Sequence, residues 1–327
     1  MIGRSRLNPL NYFKGKDVFI GFSSKAQGES HKEKNSPCQD SSSFSISKNK
    51  KSGIAIVADG HGGEKYFRSA KGSSFAIEIS KQAIELFELQ LQIRTNNNIT
   101  PNLKQLASNI IYQWRSFVLD DIQNFPFNEE EQTICSDNNI DINNDDDLVS
   151  IYGTTLIAAY VNEVCWFALK IGDGTCVSIL KNGKTENLIP EDERLGFGKT
   201  TSLCNTDAID SFRYIFKNEI IAGVTVATDG VSDSFIPEKY YEFNINLLED
   251  FLESESAQGR LDIFLPELSQ RGSRDDVAIA GIYNQEIGRK LLLRRRKEKE
   301  FSLIKENRER DNYILGIKKY GYFISKK

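Results

Sequence analysis

Acidic residues that could bind a metal stand at the ends of apolar segments in this sequence. Asp59 ends the run GIAIVA and opens DGHGG, and Asp229 lies in ATDGVSD. Asp173 ends KIGDG, and Asp275 shortly precedes VAIAG. Several ionised carboxylates within about 4 to 6 Å raise one another's pKa and destabilise a fold unless a cation neutralises them. If the apolar segments are neighbouring strands, the sequence predicts a metal site, although each aspartate taken alone is also a common turn residue.

The residue types indicate both the metal and the reaction. An oxygen-only ligand set without Cys or His favours hard cations such as Mg²⁺ or Mn²⁺. A pair of such ions activates water and clamps the attacking and leaving oxygens of a phosphoryl transfer, which makes phosphoester hydrolysis the natural reaction. His61, one of only two histidines, follows the Asp59-Gly60 turn. It could protonate the leaving oxygen, although a histidine in a glycine-rich turn is more often a surface residue.

Strands must bring these aspartates together, and short apolar runs without helical spacing predict them. Tight turns such as Asn182-Gly183 separate the later runs, which indicates an antiparallel sheet. The predicted strands span about 18–22, 44–46, 53–58, 153–161, 164–171, 176–180, 224–228 and 277–283.

Amphipathic helices are expected on the outside of the sheet. One covers 75–94 with Ser73-Ser74 as its cap, and a second opens at Thr100-Pro101. Two consecutive helices after a strand suggest an antiparallel pair laid on the sheet. Further helices are expected at about 237–253 and 258–270.

Composition excludes several classes of protein. The chain has 327 residues and 39% hydrophobic content, which is enough for a well-formed core. A net charge of −4 gives no support for nucleic-acid binding, and no run of about 20 apolar residues could cross a bilayer. The five cysteines are odd in number, widely spaced and without CxxC, so neither a disulfide framework nor a zinc knuckle is indicated. We expect a cytoplasmic protein.

Charge is distributed unevenly along the chain. Residues 120–147 contain ten acidic side chains and no Lys or Arg, which predicts a mobile acidic insertion at about 120–150. The segment at about 188–215 is irregular and polar, as expected for a flap beside a site. Residues 289–327 carry fourteen Lys or Arg against five Asp or Glu. We therefore expect one domain at 1–284 and a basic helical extension at 285–327.

The basic extension has two interpretations. It could be a solvated helix that packs back on the acidic body. It could instead dock an acidic protein, a membrane surface or a nucleic acid.

The order of the motifs resembles a known family. DGHGG, YGTTL, the GD after a strand, ATDGVSD and GSRDDVAI occur in the order and approximate spacing of the PP2C-type (PPM) metal-dependent protein serine/threonine phosphatases. The sequence is most similar to the bacterial branch, over about residues 17–284. The resemblance implies an α+β fold, a four-layer α/β/β/α sandwich of two antiparallel sheets flanked by helix pairs, with the metals in a cleft at one end.

The resemblance also implies an activity with its cofactors and partners. The activity is hydrolysis of phosphoserine and phosphothreonine on proteins by a metal-activated water at a binuclear Mg²⁺ or Mn²⁺ centre. The partners are a phosphorylated protein substrate and a cognate Ser/Thr kinase. Asp59 resembles the aspartate that bridges both metals, with the Gly60 carbonyl as a further ligand. By the same resemblance, Asp229 and Asp275 are ligands of the first metal, and Asp173 and Asp233 are ligands of a third, weaker ion. Asp40 is implied to be an acid near the metal waters. His61 is implied to be the general acid and His31 a contact for substrate phosphate.

The sequence departs from the family pattern in several places. Gln39-Asp40 stands where many members have Glu-Asp, so one second-metal contact would be a neutral amide or pass through water. His31 or Lys32 stands nearest to the place of an arginine that anchors phosphate, and neither replaces a bidentate guanidinium. The usual Asp-Asn is Asp275-Asp276. The alternative is therefore a catalytically weak or inactive relative that binds a phosphoprotein or a partner kinase, and hydrolysis of a small phosphorylated metabolite is a third possibility.

Overall fold

Ten strands and ten α-helices make up the part of the chain that the structure describes. The computed structural model describes residues 18–94, 102–189 and 200–320. The strands are β1 (Phe19–Ala26), β2 (Ser41–Ile46), β3 (Ser52–Ala58), β4 (Leu156–Asn162), β5 (Trp166–Ile171), β6 (Thr175–Ile179), β7 (Thr185–Asn187), β8 (Arg213–Lys217), β9 (Gly223–Ala227) and β10 (Val277–Asn284). The helices are α1 (Glu29–Glu33), α2 (Ser69–Arg94), α3 (Leu103–Asn124), α4 (Glu129–Asp137), α5 (Asp145–Ser150), α6 (Ala208–Ser211), α7 (Asp229–Ser232), α8 (Pro237–Glu253), α9 (Ala257–Arg271) and α10 (Gln285–Tyr320).

The strands form two five-stranded antiparallel sheets. One has the order β1-β10-β9-β6-β7 and the other the order β2-β3-β4-β5-β8. Every neighbouring pair of strands is antiparallel. The predicted strand positions agree with these elements to within a few residues, except that β7 and β8 were missed.

Strand β3 shows why the two sheets stack. All seven of its residues are buried, and successive side chains point to opposite faces. Ile54 and Ile56 join the apolar cluster beneath α2 and α3. Ala55 and Val57 face the other way, into a cluster that also contains Val224 of the other sheet. One strand therefore contributes to two cores.

Helix pairs cover the outer face of each sheet. Helices α2 and α3 pack on the sheet that contains β3, and α8 and α9 pack on the sheet that contains β1 and β6. The order helix, sheet, sheet, helix confirms the predicted four-layer α+β sandwich.

Both helices of the first pair begin at other residues than the sequence predicted. Helix α2 begins at Ser69, so Ser73 lies inside it, fully buried, and donates its hydroxyl to the Gln39 carbonyl. The cap of α3 is Asn102, whose side chain accepts from the Gln105 amide. The predicted Thr100-Pro101 start lies outside the described residues.

The prediction of a mobile loop at 120–150 is wrong, because this segment is largely helical. Helix α3 continues to Asn124, and α4 and α5 follow. Asn128 and Glu131 form a capping box, and Asn144 caps α5. Acidic side chains fill the first turns of both helices, where the helix dipole favours negative charge. The acidic residues thus start helices here instead of solvating a loop.

The predicted flap-like segment is described only in part. Residues 190–199 lie outside the described ranges. After them, Leu203 and Phe212 are buried in the cluster beneath α2 and α3, and β8 extends the second sheet. The end of this segment therefore belongs to the body of the fold.

The predicted basic helix is present as α10, and its first part packs on the body. Leu291 and Leu292 are buried in the same cluster as Leu248 of α8. The Arg296 guanidinium forms ion pairs with Glu249 and Glu253 of α8. The packing interpretation is therefore correct for this part of the extension, whereas the side chains of 297–302 are exposed.

Among the described residues, no helix combines the length and apolar character needed to cross a membrane. All five cysteines are free thiols.

Deleting residues 285–327 should destabilise the protein more than deleting only 297–327. The longer deletion uncovers the α8 surface that buries Leu291 and Leu292, at a cost of about 3–6 kcal/mol for two leucines. The shorter deletion keeps both leucines and Arg296. Urea denaturation of the two truncated proteins and the full chain measures the difference, and equal loss of stability in both would contradict this packing.

Candidate metal centre

Three aspartates from different parts of the chain meet at one end of the sandwich. Asp59 follows β3, Asp173 lies in the turn between β5 and β6, and Asp229 follows β9. Each offers a carboxylate oxygen, and the three oxygens lie within 4.8 Å of one another. The strand ends therefore bring together acids that are 56 to 170 positions apart in the sequence.

Hydroxyl and backbone groups hold the central member of this trio. The Asp59 amide donates to Thr155 Oγ1 at 3.0 Å. The Asp59 carbonyl accepts from the Thr155 amide and from Thr154 Oγ1, both at 2.8 Å. The Thr154 amide donates in turn to Ser202 Oγ. The YGTTL motif thus fixes the backbone of Asp59.

The turn after Asp59 depends on glycine chiefly through close packing. A Cβ atom on Gly60 would lie 2.7 Å from the Gln39 carbonyl oxygen and 2.8 Å from that of Ser69. A left-handed backbone occurs later in the same motif, at Gly63, whose φ is 100°. Gly60 therefore lets the strand end approach its neighbours closely enough to form the site.

The electrostatics of the trio are unfavourable without a cation. Burial raises the pKa of Asp59 well above its ordinary value, and the negative charges of Asp40, Asp229 and Asp173 raise it further. Burial, followed by the charge of Asp173, raises the pKa of Asp229 to about 6. A cluster of hard oxygen donors with raised pKa values is the environment that a divalent Mg²⁺ or Mn²⁺ ion neutralises. The residues present fit the predicted metal.

The other predicted ligands lie outside the trio. Asp40 is almost fully buried, and its Oδ2 accepts from Thr228 Oγ1 at 2.7 Å. Asp233 is exposed at the end of α7. The Asp275 side chain is 58% exposed, and its Oδ1 accepts from the Asp276 amide. Asp173, expected at a weaker third site, is thus closer to Asp59 and Asp229 than the sequence indicated, and Asp275 is not a member of the tight group.

His61 packs beside the trio as a largely buried ring. Its amide donates to the Gly153 carbonyl at 3.0 Å, and its ring lies edge-on to Tyr66 with 5.1 Å between centroids. A Cβ atom on Gly153 would lie 2.5 Å from His61 Cδ2, so only glycine fits there. Burial lowers the pKa of His61 to about 4, which the charge of Asp173 opposes. The ring is therefore neutral at pH 7 in the free protein.

The Gln39 side chain connects two parts of the site. Its Nε2 donates to Ser69 Oγ at 2.6 Å and to the His61 carbonyl at 3.0 Å. These bonds connect the start of α2 to the DGHGG turn. Gln39 therefore positions this turn.

Asp276 is the residue near the site that sequence reasoning missed. Its buried carboxylate accepts from the Gly28 and Gln39 amides, both at 2.6 Å, and contacts His31 Nδ1 at 2.9 Å. His31 Nε2 lies 3.8 Å from Asp275 Oδ1. The predicted phosphate contact is thus held beside the acidic centre by Asp276. The only sequence signal was the second aspartate in Asp275-Asp276, where the resembling family has asparagine.

Comparisons with known proteins are consistent with this geometry. The family model described as "Protein phosphatase 2C" matches residues 27–266. The solved structure of PppA, titled a key regulatory component of T6SS in Pseudomonas aeruginosa, is 13% identical, with 82% of this chain and 98% of that chain covered and a TM-score of 0.52. The catalytic domain of the serine threonine protein phosphatase PstP, solved in complex with 2 manganese ions, is 16% identical, with 82% and 99% covered and a TM-score of 0.50. No curated protein matches the sequence. These structures are similar in fold.

Asp229→Asn should stabilise the metal-free protein at neutral pH. The folded-state pKa of about 6 exceeds the ordinary 3.8, so the contribution of Asp229 to stability is present below about pH 4 and is lost as pH rises through 6. In EDTA, the Tm of the wild type should therefore fall more steeply from pH 4 to 7 than that of the variant. At pH 8 the variant should be more stable by about 1–2 kcal/mol.

Asp137→Asn, on the exposed side of α4, provides the matched control and should follow the wild type. Added Mn²⁺ should raise the Tm of the wild type and the control but much less that of Asp229→Asn. Identical pH profiles for all three metal-free proteins would contradict an uncompensated charge at Asp229.

Proposed function

The chain belongs to the protein phosphatase 2C family, and on that premise we propose that it hydrolyses phosphoserine and phosphothreonine on proteins at a binuclear Mn²⁺ or Mg²⁺ centre. The enzyme class is that of a metal-dependent protein serine/threonine phosphatase. The observation that carries the proposal of a metal centre is the trio of Asp59, Asp173 and Asp229 at the strand ends. The solved structure of PstP with 2 manganese ions, a protein of similar fold, supports the choice of metal.

The proposed ligand set follows from the trio and its neighbours. Asp59 would bridge the two metals, with the Gly60 carbonyl as a further ligand. Divalent ions in such a site lower the pKa of water and neutralise charge on a transferring phosphoryl group. The remaining proposed ligands are Asp229 and Asp275 for the first metal, Asp173 and Asp233 for a third and weaker ion, and Asp40 for the metal waters.

The protein itself provides rigid placement of these oxygens. Asp59 cannot shift without breaking its bonds to Thr154 and Thr155. Asp40 is held by Thr228 from the adjacent strand end. Fixed donors avoid reorganisation during the reaction, and this is the usual source of electrostatic catalysis.

His31 is the proposed contact for substrate phosphate. Asp276 holds the ring through Nδ1 at 2.9 Å, and the ring is only 14% exposed, so its orientation is restricted. The opposite ring nitrogen faces Asp275 at the edge of the acidic centre. The contact is a single imidazole nitrogen, so it would hold phosphate less firmly than a bidentate guanidinium.

His61 is the proposed proton donor to the leaving oxygen. In the free protein it holds a single ring proton at neutral pH, because burial lowers its pKa to about 4. A phosphate dianion bound beside it would raise that pKa, as the charge of Asp173 already does to a smaller extent. The histidine would thus become a better donor only when substrate is bound.

The wider setting of the enzyme is also proposed. Five free thiols without pairing fit a reducing, cytoplasmic environment. The domain of 1–284 would catalyse dephosphorylation. It would thereby oppose a cognate Ser/Thr kinase. The extension of 285–327, in which the side chains of 297–302 are exposed, would dock an acidic protein partner. The protein that lacks 297–327 would then keep its activity on small substrates but lose that partner in a pull-down.

Mn²⁺ or Mg²⁺ should support hydrolysis of p-nitrophenyl phosphate and of a phosphothreonine peptide. Asp59→Asn and Asp229→Asn should each reduce kcat at least about 100-fold, because each removes charge from the metal site. Phosphate release at saturating Mn²⁺ measures this, with Asp137→Asn as the control. If the wild type has no more turnover than the two variants on any phosphoester, the inactive, phosphoprotein-binding alternative replaces the enzyme proposal.

His61→Asn should distinguish a proton donor from a structural residue. Loss of a proton donor should reduce kcat for the phosphothreonine peptide by about 100-fold, because an alkoxide leaves poorly without a proton. The effect on p-nitrophenyl phosphate should be far smaller, since its phenolate leaves readily. Equal reductions with both substrates would indicate that His61 only positions the turn.

A further inference from the structure

A cleft opens beside the acidic centre, and Asp233 at its rim is the one lining residue that also belongs to the proposed ligand set. It has a volume of about 470 Å³ and lies between β6, the end of α7 and the start of α8. Thr175 lines it two positions after Asp173, and Asp233 lines it four positions after Asp229. The cleft therefore adjoins two of the three segments that carry the trio, those of Asp173 and Asp229.

Aromatic side chains form one wall of this cleft. Phe235, Tyr240 and Tyr241 line it, together with Pro237. The rings of Phe235 and Tyr240 lie 5.8 Å apart, and those of Tyr240 and Tyr241 lie 6.3 Å apart. The Tyr240 hydroxyl is hydrogen-bonded to the Thr175 hydroxyl. This bond ties the aromatic wall to the strand that follows Asp173.

The cleft has negative charge and no described cation of its own. Asp233 is exposed at its rim, and none of the described lining residues is Lys or Arg. The nearby Lys239 is paired with Glu242 at 2.8 Å. Asp233 lies at the end of α7, four positions after Asp229, so the rim is close to the acidic centre.

We propose that this cleft binds an arginine or lysine side chain of the protein substrate, close in sequence to the phosphorylated residue. An aromatic wall binds a cationic side chain through its π faces, and a carboxylate at the rim binds its charge. The inference rests on the proposed phosphatase function, because it places the phosphorylated residue at the trio. It adds a preference for basic sequences around the dephosphorylated site.

The geometry restricts where the basic residue stands in the substrate. Two residues of the cleft, Thr175 and Asp233, lie two and four positions after Asp173 and Asp229 of the trio. An extended peptide advances about 3.3–3.6 Å per residue, and an arginine side chain adds several more ångströms of reach. The basic residue is therefore expected within about three positions of the phosphorylated residue.

Peptide kinetics with the full chain test this proposal. Phosphothreonine peptides would carry Arg, Gln, Leu or Glu at each of three positions on either side, at the lowest Mn²⁺ concentration that saturates turnover of p-nitrophenyl phosphate. At one or more positions Arg should give a KM roughly 3–10-fold below that of Gln, and Glu should raise KM. The value of kcat should change much less, because the cleft contacts no reacting atom.

Two variants connect the preference to the cleft. Tyr241→Leu keeps an apolar wall but removes a π face, and Asp233→Asn removes the rim charge. Each should reduce the ratio of Arg to Gln kcat/KM toward 1, and each ratio is measured within one variant, so a general loss of activity cancels. Tyr112→Leu, at a 76% exposed tyrosine on α3, is the matched control and should keep the wild-type ratio.

The outcomes separate this proposal from the phosphatase function. Absence of wild-type turnover of p-nitrophenyl phosphate would defeat the function itself. Normal turnover with Arg and Gln within twofold at every position would overturn only the cleft proposal. A preference for Leu over Arg would also overturn it, since the cleft would then bind an apolar side chain. An Arg preference that survives in both cleft variants would place its origin elsewhere.

Discussion

Mutual repulsion among buried carboxylates is the constraint on which this structure depends. Three carboxylate oxygens lie within 4.8 Å of one another. The negative charge of the buried Asp40 adds to the repulsion on Asp59. Ionised groups in such a place either take up protons or require a cation. The acidic end of the sandwich therefore stores an electrostatic cost that a divalent ion offsets, so that metal binding and folding stability are coupled.

The scaffold can tolerate this cost because neutral groups hold the Asp59 backbone and the Asp40 carboxylate. Hydroxyl and amide groups of Thr154, Thr155 and Thr228 hold Asp59 and Asp40. The Asp276 carboxylate accepts hydrogen bonds from two backbone amides at the same end of the molecule. An arginine or lysine in these positions would compete with the metal for the carboxylates. Neutral donors orient the oxygens and leave their charge available.

Charge elsewhere in the molecule is arranged differently. Glu131 of the acidic segment accepts a bidentate contact from the buried Arg68, which helps to keep α4 on the body. The basic helix α10 packs against α8 on the opposite outer layer, where Arg296 meets two glutamates. The carboxylates of the metal site thus remain available to bind a cation, whereas those in the helical layers form ion pairs that hold helices in place. The cleft beside Asp233 follows the first pattern, and this is why we assign it a cationic occupant.

The sequence by itself determined the elements and the kind of chemistry. Strand positions, the helices at 237–253 and 257–271, and aspartates at strand ends follow from local periodicity and turn residues, which act over a few positions. Helices α4 and α5 were missed because charge composition outweighed the capping residues Asn128 and Asn144. Only the tertiary structure decided that Asp173 instead of Asp275 joins Asp59 and Asp229, and that Asp276 holds His31. Such distances depend on strand register and on how two sheets stack, and no local pattern encodes the separation of residues more than 50 positions apart.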